Sequence, residues 1–126
     1  MTYTVEYDSV ESMIVINITG ETGLSELREI AAAIMRVAKQ KNCFCILTDL
    51  RKAKLEVSIM EIYALPGDIA EIATNQDLKI YTAKRAFVTT KEQDILNFYE
   101  TVSRNRSHNT RLFYDIKEAK TWLLEK

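Results

Sequence analysis

Cys43-Phe44-Cys45-Ile46-Leu47-Thr48-Asp49-Leu50 is the stretch that decides the fold. It is apolar on both faces until Thr48 and Asp49, and a strand buried on both faces belongs inside a sheet that helices cover. Just before it, Leu24, Leu27, Ile30, Ala31, Ile34, Val37 and Ala38 recur at helical spacing, with Arg28, Arg36 and Lys39 opposite. Thr22 is the predicted N-cap, Glu26 suits the positive end of the helix, and Lys39, Lys41 and Asn42 close it. Further upstream Tyr3, Val5 and Tyr7 alternate with polar residues as an edge strand does. Asp8 to Ser12 is a polar turn, and Met13 to Thr19 is a second, Ile/Val-rich strand. So short a turn makes the pair antiparallel.

Downstream, Arg51, Lys52 and Lys54 read as a basic loop. Ser58-Ile59-Met60-Glu61 has the form of a capping box, and Ile62, Leu65, Ile69 and Ile72 form the stripe of the helix it opens. Pro66 and Gly67 predict a kink or two short helices. Leu78 to Thr82 is an extended lead-in to a strand over Lys84 to Thr90. Thr90-Lys91-Glu92-Gln93 is a second capping box, with Ile95, Phe98, Tyr99 and Val102 as the buried stripe of its helix. Arg104 to Thr110 is a polar loop and Arg111 to Tyr114 the last strand. Asp115 caps a final helix that turns Ile116, Ala119, Trp122 and Leu123 inward. The order is ββαβαβαβα, one α/β domain over residues 1–126 with a mixed five-stranded sheet, its first strand antiparallel, and four or more helices.

Successive right-handed crossovers put most helices on one face of such a sheet. The other face carries either Cys43, Cys45 and Leu47 or Phe44 and Ile46, and is too apolar to stay bare. It predicts association, most simply a homodimer. Cys43 and Cys45 share a face of one strand, where a bridge would distort the backbone, so both are expected to be reduced, inert thiols in a cytoplasmic protein.

The 126 residues, 47% hydrophobic and 28% charged, suit one soluble domain, and 3 Gly with 1 Pro argue for long regular elements. Seventeen basic against 18 acidic residues give a net charge of −1, which excludes a global field for nucleic acid. Met1 to Val10 carries no signal peptide, and the longest apolar run, Ile30 to Met35, falls far short of the about 20 residues of a membrane span. The lone His108 lacks a positioned partner and reads as a solvated loop histidine. No metal-ligand cluster, Gly-rich phosphate loop or nucleophile motif is present, so neither enzyme activity nor a cofactor is expected.

Position supplies one candidate site. Ligands of open α/β sheets bind beyond the carboxyl ends of the parallel strands. Here those ends carry Asp49 and Arg51, Thr89 and Thr90, and Asp115, beside helix starts expected at Ser58 and Thr90 whose free N–H groups suit a small anion. Arg104, Arg106 and Arg111 form a secondary anion patch, or simply a solvated helix end.

The element order resembles the STAS domain, the SpoIIAA-like fold of anti-sigma-factor antagonists. Words shared with small bacterial STAS-like proteins carry the resemblance: Thr48 to Arg51, Ile62 to Pro66, Asn97 to Arg106, and Arg111 to Asp115 with Glu118-Ala119 and Trp122-Leu123. It implies a non-enzymatic regulatory or protein-interaction module. STAS antagonists switch by phosphorylation in a D-S-[ST]-G-like motif at the start of the helix after the third strand. Ser58 takes that place, without the Asp and Gly. The superfamily also includes CRAL-TRIO lipid-transfer domains, which implies the alternative of a small-ligand or lipid-binding protein using the strand-end cleft.

Overall fold

The computed structural model describes residues 2–125. The chain runs β1 (Thr2–Asp8), β2 (Met13–Gly23), α1 (Leu24–Lys41), β3 (Cys45–Glu56), α2 (Ile59–Asn75), a 3-10 turn (Ile80–Thr82), β4 (Lys84–Val88), α3 (Ile95–Asn105), β5 (Asn109–Phe113) and α4 (Ile116–Leu124). The strands lie in sequence order, with β1 antiparallel to β2 and every other pair parallel. Asp8 tightens the first turn by accepting from the backbone N–H groups of Val10 and Glu11 at 2.9 and 3.0 Å.

Helices α1, α2 and α3 pack on one face of the sheet, over Ile14, Ile16, Ile18 and Ile46. Helix α4 packs alone on the other, where Ala119 and Leu123 meet Met13, Leu47, Ala86, Val88 and Phe113. This overturns the bare apolar face expected from the crossovers. The apolar part of that face lies under α4, and the part over β1 and β2 carries exposed Thr4, Glu6, Asn17 and Thr19. Cys43 and Cys45 also part company. Cys43 precedes β3 and is buried on the three-helix side, with its thiol on the Ser12 carbonyl at 3.5 Å. Cys45 faces α4, with its thiol on the Leu123 carbonyl at 3.6 Å.

Strands β2 and β3 run further than their apolar stretches. Past a bulge at Asn17/Thr19, the segment Thr19–Gly23 pairs with Lys52–Glu56, so the expected basic loop is strand. Its charges alternate with buried Ala53 and half-buried Leu55, the period-two pattern of a one-sided strand. The extension also corrects the start of α1. Thr22 is a fully buried strand residue, and Gly23 occupies the cap, its N–H donating to Glu26 Oε1 at 3.1 Å. Helix α2 runs through Pro66 as one element, and Leu78 to Thr82 ends in a 3-10 turn rather than an extended lead-in. No helix of the described residues is long and apolar enough to cross a membrane.

Candidate functional site

Asp49 and Arg51 do not lie at the end of their strand, where they were expected. Asp49 pairs with Val88, the last residue of β4, but β3 itself runs on to Glu56 alongside β2, so both residues lie mid-strand where β3 outruns β4. The Asp49 carboxylate accepts from the Arg51 backbone N–H at 3.0 Å and from Arg51 Nε and Nη2 at 3.0 and 2.8 Å. Partial burial would raise the carboxyl pKa, but the hydrogen bonds and charge of Arg51, with Lys52 nearby, win and hold it below the usual carboxylate range. The hydrogen bonds and charge of Asp49 raise the Arg51 guanidinium in turn, and Asp115 at the start of α4 adds to this. Asp49 and Arg51 are thus paired directly, and the Asp115 charge acts on Arg51 without a direct ion pair among the described residues. Asp115 caps α4 by accepting from Lys117 N–H at 2.8 Å.

Ser58 caps α2. Its Oγ accepts from Glu61 N–H at 3.1 Å, and Glu61 Oε1 accepts from Ser58 N–H at 2.9 Å. The reciprocal box takes up the Ser58 and Glu61 N–H donors at this helix start. Thr90 behaves differently from its sequence form. Strand β4 stops at Val88, and α3 starts only at Ile95, after Asp94, so Thr90 heads no helix. Gln93 turns inward instead and donates from Nε2 to the Leu50 carbonyl at 2.9 Å and to Thr89 Oγ1 at 3.2 Å. Thr89 is 1% exposed and donates its N–H to the Phe113 carbonyl. The loop is thus pinned to the middle of β3 and to the end of β5. Between it and the β3 extension lies a cleft of about 440 Å³ lined by Arg51, Lys54, Thr90, Glu92 and Asp94. Two cations face two carboxylates there, so the cleft has no net preference for an anion.

The secondary arginines do not form one patch. Arg104 is exposed in the last turn of α3, and Arg106 lies over the Tyr63 ring of α2 at 5.3 Å. Arg111 lies over Phe113, on the α4 side of the sheet, at 5.5 Å. His108 is not solvated. It is 5% exposed, and burial, aided by the charges of Arg85 and Arg106, lowers its pKa to about 4. Among the described residues no cluster of His, Cys, Asp or Glu could hold a metal.

Two features escape the sequence pattern. Ile59, Met60 and Tyr63 stand exposed at 64%, 75% and 53% on the first turns of α2, off its buried stripe. Apolar residues out of phase with Ile62, Leu65 and Ile69 are the signal that finds them. Arg85 is 6% exposed on the three-helix face, and no periodicity marks it.

No family model and no curated protein matches the chain. Solved structures do. An uncharacterised DUF3478-family protein with a SpoIIAA-like fold from Shewanella loihica superposes with a TM-score of 0.60 at 14% identity, over 97% of this chain and 92% of that one. An anti-sigma factor antagonist from Mycobacterium paratuberculosis gives 0.57 at 12%, over 98% and 96%. The anti-sigma factor antagonist SpoIIAA in its unphosphorylated form gives 0.54 at 12%, over 97% of each chain. A likeness of this length at such low identity is one of fold, and the fold of this chain is SpoIIAA-like.

Proposed function

We propose that the chain is a non-enzymatic regulatory module that binds a protein partner through the first turns of α2 and the rim of the neighbouring strand-end cleft. The observation that carries this is the exposed Ile59, Met60 and Tyr63, three large apolar side chains following the Ser58 cap. Solvated apolar groups clustered on one rigid element gain most from a partner that covers them. In this reading Ser58 fixes the first turn, Thr89 with Gln93 holds the loop, and Asp49, Arg51, Thr90 and Asp115 supply a polar rim. The engagement of Asp49 by Arg51 and the burial of His108 favour binding over acid–base chemistry. Fold kinship with anti-sigma factor antagonists supports the same class of role. A cytoplasmic setting suits the two free thiols.

Calorimetric titration of the purified protein against the anti-sigma factors of its own genome is the test. Binding is expected, abolished by Met60→Asp or Tyr63→Asp and kept by Val10→Asp, which alters an exposed residue of the β1–β2 turn. Failure of every such protein to bind, or equal binding by all variants, overturns the proposal. Light scattering of the isolated chain separates a homodimer through the same patch from a monomer awaiting a different partner.

A further inference from the structure

Arg85 is a buried cation without a counter-ion. It is 6% exposed, and its Nη2 donates to Tyr99 Oη at 2.7 Å. Its Nη1 is buried and has no protein partner. None of the ion pairs among the described residues includes it. The Phe87 and Tyr99 rings, 5.2 and 5.8 Å away, offset part of the desolvation cost, but neither supplies a negative charge. Thr110, the register partner of Arg85 on β5, is also buried with its hydroxyl unpartnered.

Arg85 and Tyr99 line a cavity of about 60 Å³ under α1, α2 and α3, walled chiefly by Ile34, Ile46, Leu65 and Ile69. A water-sized sphere takes roughly 10–15 Å³ on this measure, so the space admits a chain of a few heavy atoms. Besides Arg85 and Tyr99, Thr48 of β3 is the polar residue of its lining. An unpaired guanidinium, one threonine and otherwise apolar walls define an amphipathic monoanion.

We propose that this cavity is a binding site for a short-chain aliphatic carboxylate, its carboxylate on Arg85 and its alkyl chain among the isoleucines and leucines. The site lies beneath α2, apart from the exposed apolar surface, and stands or falls independently of partner binding.

Titration of the ¹⁵N-labelled protein with butyrate, followed by amide shifts, is the test, with n-butanol as the uncharged control. Butyrate is expected to saturate shifts in β4 and α3 and to bind about tenfold or more tighter than butanol, as a charge-assisted hydrogen bond implies. Arg85→Met should erase the preference for butyrate over butanol, and Arg85→Lys should keep it. Absence of saturable butyrate shifts, saturation confined to the surface cleft, or equal affinity for butyrate and butanol in the parent protein overturns the proposal. Those measurements decide even if Arg85→Met does not fold.

Discussion

Lys84 and Arg85 are neighbours in sequence and opposites in environment. Lys84 faces α4, lies 4.7 Å from the Trp122 ring centre, and donates to the backbone carbonyls of Trp122 and Glu125 at the end of that helix. A cation there satisfies carbonyls that the helix leaves open and matches its negative end. Arg85 faces the three-helix side, where it finds one hydroxyl and an apolar cavity. The two sides of the sheet differ in the same way. The α4 side buries small residues such as Ala86 and Ala119 completely and leaves its open cleft at the edge, between α4 and β5. The three-helix side is larger, retains a cavity, and buries His108 and Thr110 with unpartnered side-chain atoms. One side is built for stability, and the other keeps polar groups that stability alone does not require.

Breaking the α4 side should have the largest effect. Leu123 is 2% exposed in the one helix covering that face, and Leu123→Ala should cost about 2–5 kcal/mol in chemical denaturation. The same variant should speed thiol labelling of Cys45, whose thiol lies on the Leu123 carbonyl, and leave Cys43 protected on the far side. In the parent protein both thiols should label slowly until it unfolds, and burial pushes the Cys45 thiol further up.

Acid should attack the other side. His108 titrates near 4 when folded against an ordinary 6.5. Between these values the unfolded chain holds more protons, so stability falls as the pH drops from 6.5 towards 4, by about 3 kcal/mol over the window. Denaturant melts across that range should show the loss, and His108→Gln should flatten it.

The adjacent cations sharpen the contrast through opposite signs. Lys84→Met should destabilise by about 1 kcal/mol as the end of α4 loses its donor. Arg85→Met should stabilise by a similar amount, about 1 kcal/mol, by removing an unpaired buried charge. Equal signs in thermal melts would erase the distinction between the faces. Smaller still is the difference between the two capping motifs. Ser58→Ala should cost about 1 kcal/mol, whereas Thr90→Ala should leave the melting midpoint where it was, because Thr90 caps nothing.

Those motifs show where local pattern stops. Ser58 to Glu61 and Thr90 to Gln93 have the same form, and only the first becomes a capping box. The Leu50 carbonyl, on another strand, draws Gln93 away from the role. Helix α3 shows the same limit. Tyr99 and Val102 are buried as their spacing predicts, but Leu96 and Ser103 join them while Phe98 stands 36% exposed. The same helix is tied to β5, where Glu100 accepts from the Leu112 N–H at 2.6 Å.

By itself the sequence determined the alternation of strands and helices, the stripe of α1 and the caps at Ser58 and Asp115. Each depends on neighbours within one or two turns or on period-two alternation, which the chain carries locally. Only the tertiary structure decided that α4 alone closes the second face, that Lys52 to Glu56 are strand, and that His108 and Arg85 are buried. Each of these outcomes depends on partners far along the chain: Thr19 to Gly23 for the strand, β4 and β5 for α4, and the roof of α1, α2 and α3 for Arg85. The free energy that fixes them comes from burying surfaces that no local window contains.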